Sequence, residues 1–264
     1  MLHLGKGEYQ GRISKMVSAG GVLIGLTEYC RHTSNTPLHA HENSHLSLVL
    51  KGQMAVARKR HCGLDTSIEQ LSYVRSGEEH QNFLASQTGK NINLEFESSF
   101  LYSYEIKEHD LESLTTSPGT SLMMLKIYNE LCFQQCGFVD HIHALLLGML
   151  QPPRQLNKPG IPKWVSLVRE LLHDNWNNDL SLKNLSEISG VHPVTISRYF
   201  ALYFGCSLGE YRRRLKLDRA LAMIHSSQGS LTEIAYACAF FDQSHFIKAF
   251  KESTGFLPRQ FALL

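Results

Sequence analysis

The feature that most constrains this chain is a repeat within its C-terminal part. Leu185-Ser186-Glu187-Ile188-Ser189-Gly190 aligns with Ile234-Ala235-Tyr236-Ala237-Cys238-Ala239 at an offset of 49 residues; Ile196, Phe200 and Gly205 align with Phe246, Phe250 and Gly255 at an offset of 50. In both copies apolar residues recur at helical spacing, stop at a small residue, then resume. Each copy reads as helix, tight turn, helix, which is the helix-turn-helix pattern. In the second copy Phe246, Ala249 and Phe250 put apolar mass on one helical face. Ser244, Lys248 and Lys251 take the opposite face, with His245 beside them. Asp242 stands where an N-cap belongs, because its carboxylate can accept the free N–H groups of a first turn. Gly255 is placed to end that helix and Pro258 to stop its continuation.

With these residues in place, positions 164–262 resemble the DNA-binding domain of the AraC/XylS transcription regulators. The resemblance is carried by Leu185, Gly190, Ile196-Ser197-Arg198-Tyr199-Phe200, Gly205, Ser207, Tyr211, Leu217 and Ala220. It continues through Phe240, Asp242, Ser244, Phe246, Ala249-Phe250-Lys251, Gly255 and Pro258. It implies an all-α domain with two helix-turn-helix units, at about 182–204 and 231–255, joined by a long helix. Lys216 and Lys248 stand where the family usually has arginine, and Ala239 where it has a turn glycine. A left-handed turn costs a residue with a Cβ about 1–2 kcal/mol. Alanine at this position therefore predicts a turn with negative φ, the preceding helix running one residue further.

The chain is long enough for two ordinary domains, and its formal charge of +2 hides an asymmetry. Residues 156–264 hold 13 Lys+Arg against 9 Asp+Glu, a surplus of 4; residues 1–155 hold 13 against 15, a deficit of 2. The basic surplus falls on the part that the repeat assigns to phosphate contact. The six cysteines are scattered, and Cys132 and Cys136 have helical spacing rather than that of a metal knuckle, which predicts reduced, packed thiols. The N-terminus lacks the apolar core of a signal peptide, and no apolar run reaches a membrane span's length of about 18 residues. Both point to a cytoplasmic protein with no membrane partner.

From Gly21 to about Phe100 the pattern is β: Val22–Tyr29, Leu46–Leu50, Gln53–Lys59, Ile68–Val74 and Asn91–Phe96 are short apolar or alternating runs separated by turn residues. Lys51-Gly52 is a hairpin-turn candidate. So many short strands predict a small barrel or jelly roll. Within them His39-x-His41-x-x-x-His45, followed by Gly52, resembles the first cupin motif, with His45 in the usual glutamate position. Gly77-x-x-His80 resembles the core of the second, with Arg75 in its proline position; the resemblance covers about residues 20–97. Alternate residues of a strand face the same way, so His39 and His41 can both point inward. His80, and His45 as an addition, would complete a nitrogen site for a divalent metal with one position open. Other readings also stand: the same histidines grip an anionic effector, or they are hydrogen-bonded remnants of a cupin ancestor inside a barrel that binds an organic ligand or nothing, with no cofactor required.

Beyond Phe100 the periodicity turns helical, over Ser121–Gln134 and Val139–Leu150, an αα-hairpin with Gly137 in its connection. In the family such helices form the dimer contact; covering the open side of the barrel is the plainer role. Residues 151–162 hold four of the eight prolines and read as a semi-rigid linker. The expected architecture is α+β in two domains: a cupin-like β-barrel or jelly roll followed by helices (1–150), the linker, and the all-α domain (163–264).

The first reading helix, Pro193–Phe204, is expected to bury Ile196, Tyr199, Phe200 and Tyr203, leaving Val194, Thr195, Ser197 and Arg198 for DNA. Arginine pairs bidentately with guanine, and Val194 or Thr195 could touch a thymine methyl. Gln243, Ser244, His245, Lys248 and Lys251 are the equivalents in the second. The function expected is a sequence-specific regulator that binds promoter DNA, responds to a small-molecule effector and forms a homodimer. RNA polymerase would be a further partner if it activates. A metal-dependent cupin enzyme fused to a DNA-binding domain is the rival reading.

Overall fold

Alternating side chains over the first hundred positions produce strands, and a period near 3.6 beyond them produces helices. The computed structural model describes residues 1–30, 35–60, 63–150, 161–178 and 180–264. The linker expected at 151–162 lies, except for its last two residues, outside the described residues. Contacts gather the chain into two compact units. One comprises Met1–Ser117, Met124–Leu146 and Leu264; the other comprises Pro118–Met123 and Leu147–Leu263.

The described strands are β1 (Leu2–Leu4), β2 (Arg12–Ala19), β3 (Val22–Cys30), β4 (His39–His41), β5 (Ser44–Lys51), β6 (Met54–Arg60), β7 (Gly63–Ile68), β8 (Leu71–Val74), β9 (His80–Leu84) and β10 (Thr88–Phe96). They form two five-stranded sheets, β1-β4-β9-β6-β7 and β2-β3-β10-β5-β8. Of the expected barrel or jelly roll, this leaves a two-sheet arrangement and no closed barrel: among the described residues each sheet keeps its own two edge strands, and no ladder joins them. Two local expectations also change. The run Ile68–Val74 is broken at Glu69-Gln70, with Ile68 exposed, so it supplies the last residue of β7 and the whole of β8, which lie in different sheets. Lys51-Gly52 is no hairpin turn, because β5 pairs with β8 and β10 while β6 pairs with β7 and β9. Gly52, at φ +80°, carries the chain from one sheet to the other. A Cβ there would meet the Thr88 carbonyl at 2.3 Å, so the corner requires glycine.

β10 is the centre of the second sheet, antiparallel to both β3 and β5. Val22, Ile24, Leu46, Leu48, Ile92, Leu94 and Phe96 are buried along these three strands, which accounts for their near-continuous apolar runs. β1 lies parallel to β4, with Leu2 opposite His39 and Leu4 opposite His41. Short helices α1 (Ser98–Ser103) and α2 (Glu108–Ser113) follow, then α3 (Thr120–Phe133) and α4 (Phe138–Leu150), close to the two helices the sequence predicts. Gly137, at φ +77°, lies in the connection between these last two.

The C-terminal helices are α5 (Lys163–Asp174), α6 (Leu182–Ser189), α7 (Pro193–Phe204), α8 (Leu208–His225), α9 (Leu231–Ala237), α10 (Gln243–Thr254) and α11 (Pro258–Ala262). Their starts are chemically specified. Ser181 and Ser230 each form a reciprocal capping box, with Asn184 and Glu233, and Asp242 accepts the His245 N–H at 2.7 Å. Pro258, expected to stop α10, sits at the first position of α11, where its missing N–H costs nothing. One core gathers Val165, Val168, Leu172, Leu185, Ile196, Phe200, Phe204, Tyr211 and Leu215 from α5 to α8. An aromatic chain, Phe240 to Phe246 to Phe250 to Phe261, holds the last helices with ring centroids 5.2–6.0 Å apart.

Candidate nucleic-acid interface and histidine site

The two helix pairs, α6–α7 and α9–α10, place the sequence-predicted reading residues by the same logic. Ile196, Phe200 and Phe204 bury one face of α7, as Phe246, Ala249 and Phe250 do for α10. The opposite faces are left to solvent: Val194, Ser197 and Arg198 on α7, with Thr195 half-buried; Ser244, His245, Lys248 and Lys251 on α10, with Gln243 half-buried. Tyr199 departs from expectation, being 43% exposed beside exposed Arg198 and Leu202 rather than part of the buried stripe. Its position directly before Phe200 turns it roughly 100° from the core-facing residue. Phe241, 86% exposed just before the N-cap of α10, is a residue the sequence reading missed. In the pair Phe240-Phe241 only one ring can enter the core, and the doublet itself was the available signal.

The cations of α8 are largely engaged within the domain. Arg212 donates to the Leu180 and Asn178 carbonyls at 3.1 Å each, Arg213 and Arg214 both pair with Glu210, and Lys216 donates to the Ala239 carbonyl at 2.9 Å. Arg219 lies over the Trp176 ring at 5.6 Å. The long helix thus uses its charge to brace the turns it connects.

The Ala239 expectation is overturned: its φ is +53°. The Ala239 N–H reaches the Tyr236 carbonyl and the Phe240 N–H reaches the Ala235 carbonyl, both at 2.9 Å. That pair of bonds is a Schellman termination, which requires a left-handed residue. Closing the helix end and burying Phe240 outweigh the strain that a Cβ brings. Gly190 makes the corresponding turn in the first pair at φ +68°.

In the N-terminal unit, β4 and β9 bring His39, His41 and His80 together; His39 is directly opposite His80. One ligand nitrogen from each lies within 4.8 Å of the others, and all three residues are buried. His45, on β5 of the other sheet, stands edge-on to His41 at a centroid distance of 4.4 Å, outside that trio. The His39 Nδ1–H donates to the Pro37 carbonyl at 2.8 Å and the His80 Nδ1–H to the Glu78 carbonyl at 3.0 Å. A carbonyl can only accept, so these bonds place each ring's proton on Nδ1 and leave Nε2 as a lone pair. Both Nε2 atoms, and His45 Nδ1, are buried with no hydrogen-bond partner. Burial, reinforced by the neighbouring rings, lowers the His41 pKa to about 3 and that of His80 to about 4. Burial likewise lowers His39 and His45. Neutral rings oriented by carbonyls, with lone pairs aimed into a shared space, suit a divalent metal.

A chain built this way has a β-sheet unit holding a buried histidine cluster and a helical domain of repeated, capped helix pairs. Residues 185–263 match the family described as "Helix-turn-helix domain". The HTH-type transcriptional activator RhaS of Enterobacter sp. (strain 638) is 25% identical over 131 residues, covering 50% of this chain and 44% of that protein. The HTH-type transcriptional regulator GbdR of Pseudomonas aeruginosa is 29% identical over 120 residues, covering 46% and 30% respectively. These matches span less than half the length of either relative. Among solved structures, the C-terminal domain of AraT, a response regulator from Geobacillus stearothermophilus, is 24% identical with a TM-score of 0.37, over 40% of this chain and 88% of that one. ToxT from Vibrio cholerae is 10% identical with a TM-score of 0.38, over 92% of this chain and 98% of that one. The C-terminal region is a helix-turn-helix domain. Among the described residues no helix is long and apolar enough to cross a membrane.

Proposed function

We propose that this chain is a ligand-responsive, cytoplasmic transcription regulator. The helical domain, 163–264, binds promoter DNA, and the sheet-rich domain, 1–150, is a cupin-like jelly roll that senses a small molecule and forms a homodimer. The observation that carries this reading is the repetition of a capped helix pair with a buried aromatic face and a polar, cationic front. In each unit the second helix would enter a major groove: α7 through Val194, Thr195, Ser197 and Arg198, and α10 through Gln243, Ser244, His245, Lys248 and Lys251. α8, 18 residues long, extends about 27 Å. That is close to the roughly 34 Å between successive major grooves on one face of a duplex, so one chain would read two adjacent grooves. RNA polymerase joins the partners if the protein activates.

The test is enrichment of binding sites from random DNA by the full-length protein, followed by affinity measurement at several salt concentrations. A recovered consensus with two half-sites about one helical turn apart supports the reading. Binding with no sequence preference, lost uniformly with salt, would reduce the domain to an electrostatic contact.

A further inference from the structure

Within that reading, the nature of the effector follows from how little room the histidine site leaves. The space among His39, His41, His45 and His80 is a cavity of about 20 Å³, lying between the two sheets. A cavity needs roughly 10–15 Å³ to hold one water, so the space among the rings is of a size for an ion. Several of its other wall residues are engaged within the protein, although the Asn91 Oδ1 is buried with no partner. Ser47 donates to Asn93 at 2.6 Å, Asn93 to Thr27 at 2.9 Å, and Asn91 to the Met54 sulfur at 3.4 Å. No lysine or arginine is among the residues lining it, so a carboxylate or phosphate would meet no opposite charge there.

The site is also roofed. After β1 has paired with the histidine strand β4, the chain continues as a strap over residues 5–10. The Gly7 N–H and the Tyr9 hydroxyl both donate to the buried Glu95 carboxylate at 3.0 Å, and Asn43 donates to it at 2.9 Å. The Tyr9 ring lies 5.5 Å from His41 and 5.9 Å from His45.

We propose that the effector is a divalent transition-metal ion itself. It would be held by the free Nε2 atoms of His39 and His80 and by a ring nitrogen of His41, beneath the strap formed by residues 5–10. A purely nitrogen donor set selects zinc, nickel, cobalt or copper over magnesium or calcium, which require oxygen ligands. The strap is the reporting element, because its Tyr9 ring packs against His41 while its Gly7 N–H and Tyr9 hydroxyl are tied to Glu95.

The experiment uses full-length protein stripped with chelator, then titrated with Co²⁺, Zn²⁺, Ni²⁺ and, as a control, Mg²⁺. Expected are one transition-metal ion per chain, a cobalt visible absorption spectrum, no response to Mg²⁺, and loss of binding in His80→Gln. On DNA enriched separately by stripped and loaded protein, the ion should change affinity by at least about fivefold. Removing a buried ring can unfold a domain, so the wild-type comparison of stripped and loaded states carries the test. Failure to bind any of the three transition metals overturns the proposal while sequence-specific DNA binding leaves the regulator reading standing. An ion bound without effect on DNA affinity also overturns it, making the metal structural. If neither state enriches any DNA, the regulator reading fails and this proposal fails with it.

Discussion

The two helix pairs of the C-terminal domain reach the same geometry through different chemistry. α6–α7 turns at Gly190 and starts its second helix with His192 and Pro193, whose ring pre-sets the first φ. α9–α10 turns at Ala239 in the same left-handed conformation and starts its second helix with an aspartate cap at 2.7 Å. The first pair therefore places the stiff residue at the helix start and the permissive one at the turn. The second accepts strain at the turn and anchors itself by a strong cap and by Lys216, which holds the Ala239 carbonyl. A turn of this kind is specified by its hydrogen bonds and by the aromatic side chain buried beyond it, and glycine only lowers its cost.

The strongest challenge to this equivalence is to empty the two cores. Phe200 and Phe250, 1% and 0% exposed, occupy matching positions. Phe200→Ala and Phe250→Ala are each expected to destabilise the helical domain by about 3–5 kcal/mol, measured by denaturant unfolding of the full chain. A loss below about 1 kcal/mol at either site would show that its pair is not independently packed. On DNA, Arg198→Ala and Lys248→Ala should each weaken binding to an enriched site by about 1–3 kcal/mol, with little change on random DNA. Arg213→Ala, on the braced helix α8, should shift both alike. Equal losses on both DNAs for Arg198→Ala would turn that residue from a base reader into a phosphate contact.

The caps offer a finer comparison. Asp242→Ala should cost about 1 kcal/mol in unfolding free energy. His192→Ala should cost less, because its ring nitrogen receives the Val194 N–H at only 3.3 Å and Pro193 defines the helix start in any case. The reverse order would mean that the proline does not set the first turn. The smallest effect concerns the turns themselves. Ala239→Gly relieves a left-handed penalty of about 1–2 kcal/mol but loosens the unfolded chain by about 0.4–1 kcal/mol, leaving a net gain of about 0.5–1 kcal/mol. Gly190→Ala should lose a similar amount, since a Cβ there meets nothing within 4 Å and only φ opposes it. Thermal unfolding of the two variants should therefore move in opposite directions; a less stable Ala239→Gly would separate the two turns physically.

Much of the helical domain was legible in the sequence because each of its signals is local. Asp242, Gly255 and the Phe246/Phe250 stripe define α10 within a dozen neighbouring residues, and the first unit repeats the pattern. Tyr199 misled because a ring at helical spacing suits either the core or an exposed flank, and packing makes the choice. The sheets were less legible. Strands β1 and β2 carry mixed, mostly exposed side chains, so their pairing leaves little trace in their pattern. The break at Glu69-Gln70 and the corner at Gly52 depend on which strands lie alongside.

The histidine site divides in the same way. Spacing alone placed His39, His41 and His80 as candidates for one site, because alternation on a strand is a property of the backbone. The rings' protons are also set locally, by the Pro37 and Glu78 carbonyls two residues away, whereas the exclusion of His45 from the close trio and the strap from Gly5 to Gln10, tied to Glu95, depend on residues far apart in the chain. By itself the sequence determined the periods, the caps and the repeat, each fixed by interactions within a few residues. Only the tertiary structure decided which lone pairs are left without a partner and how much space they enclose. An unmet hydrogen bond is defined by everything that could have reached it, and those groups come from both sheets.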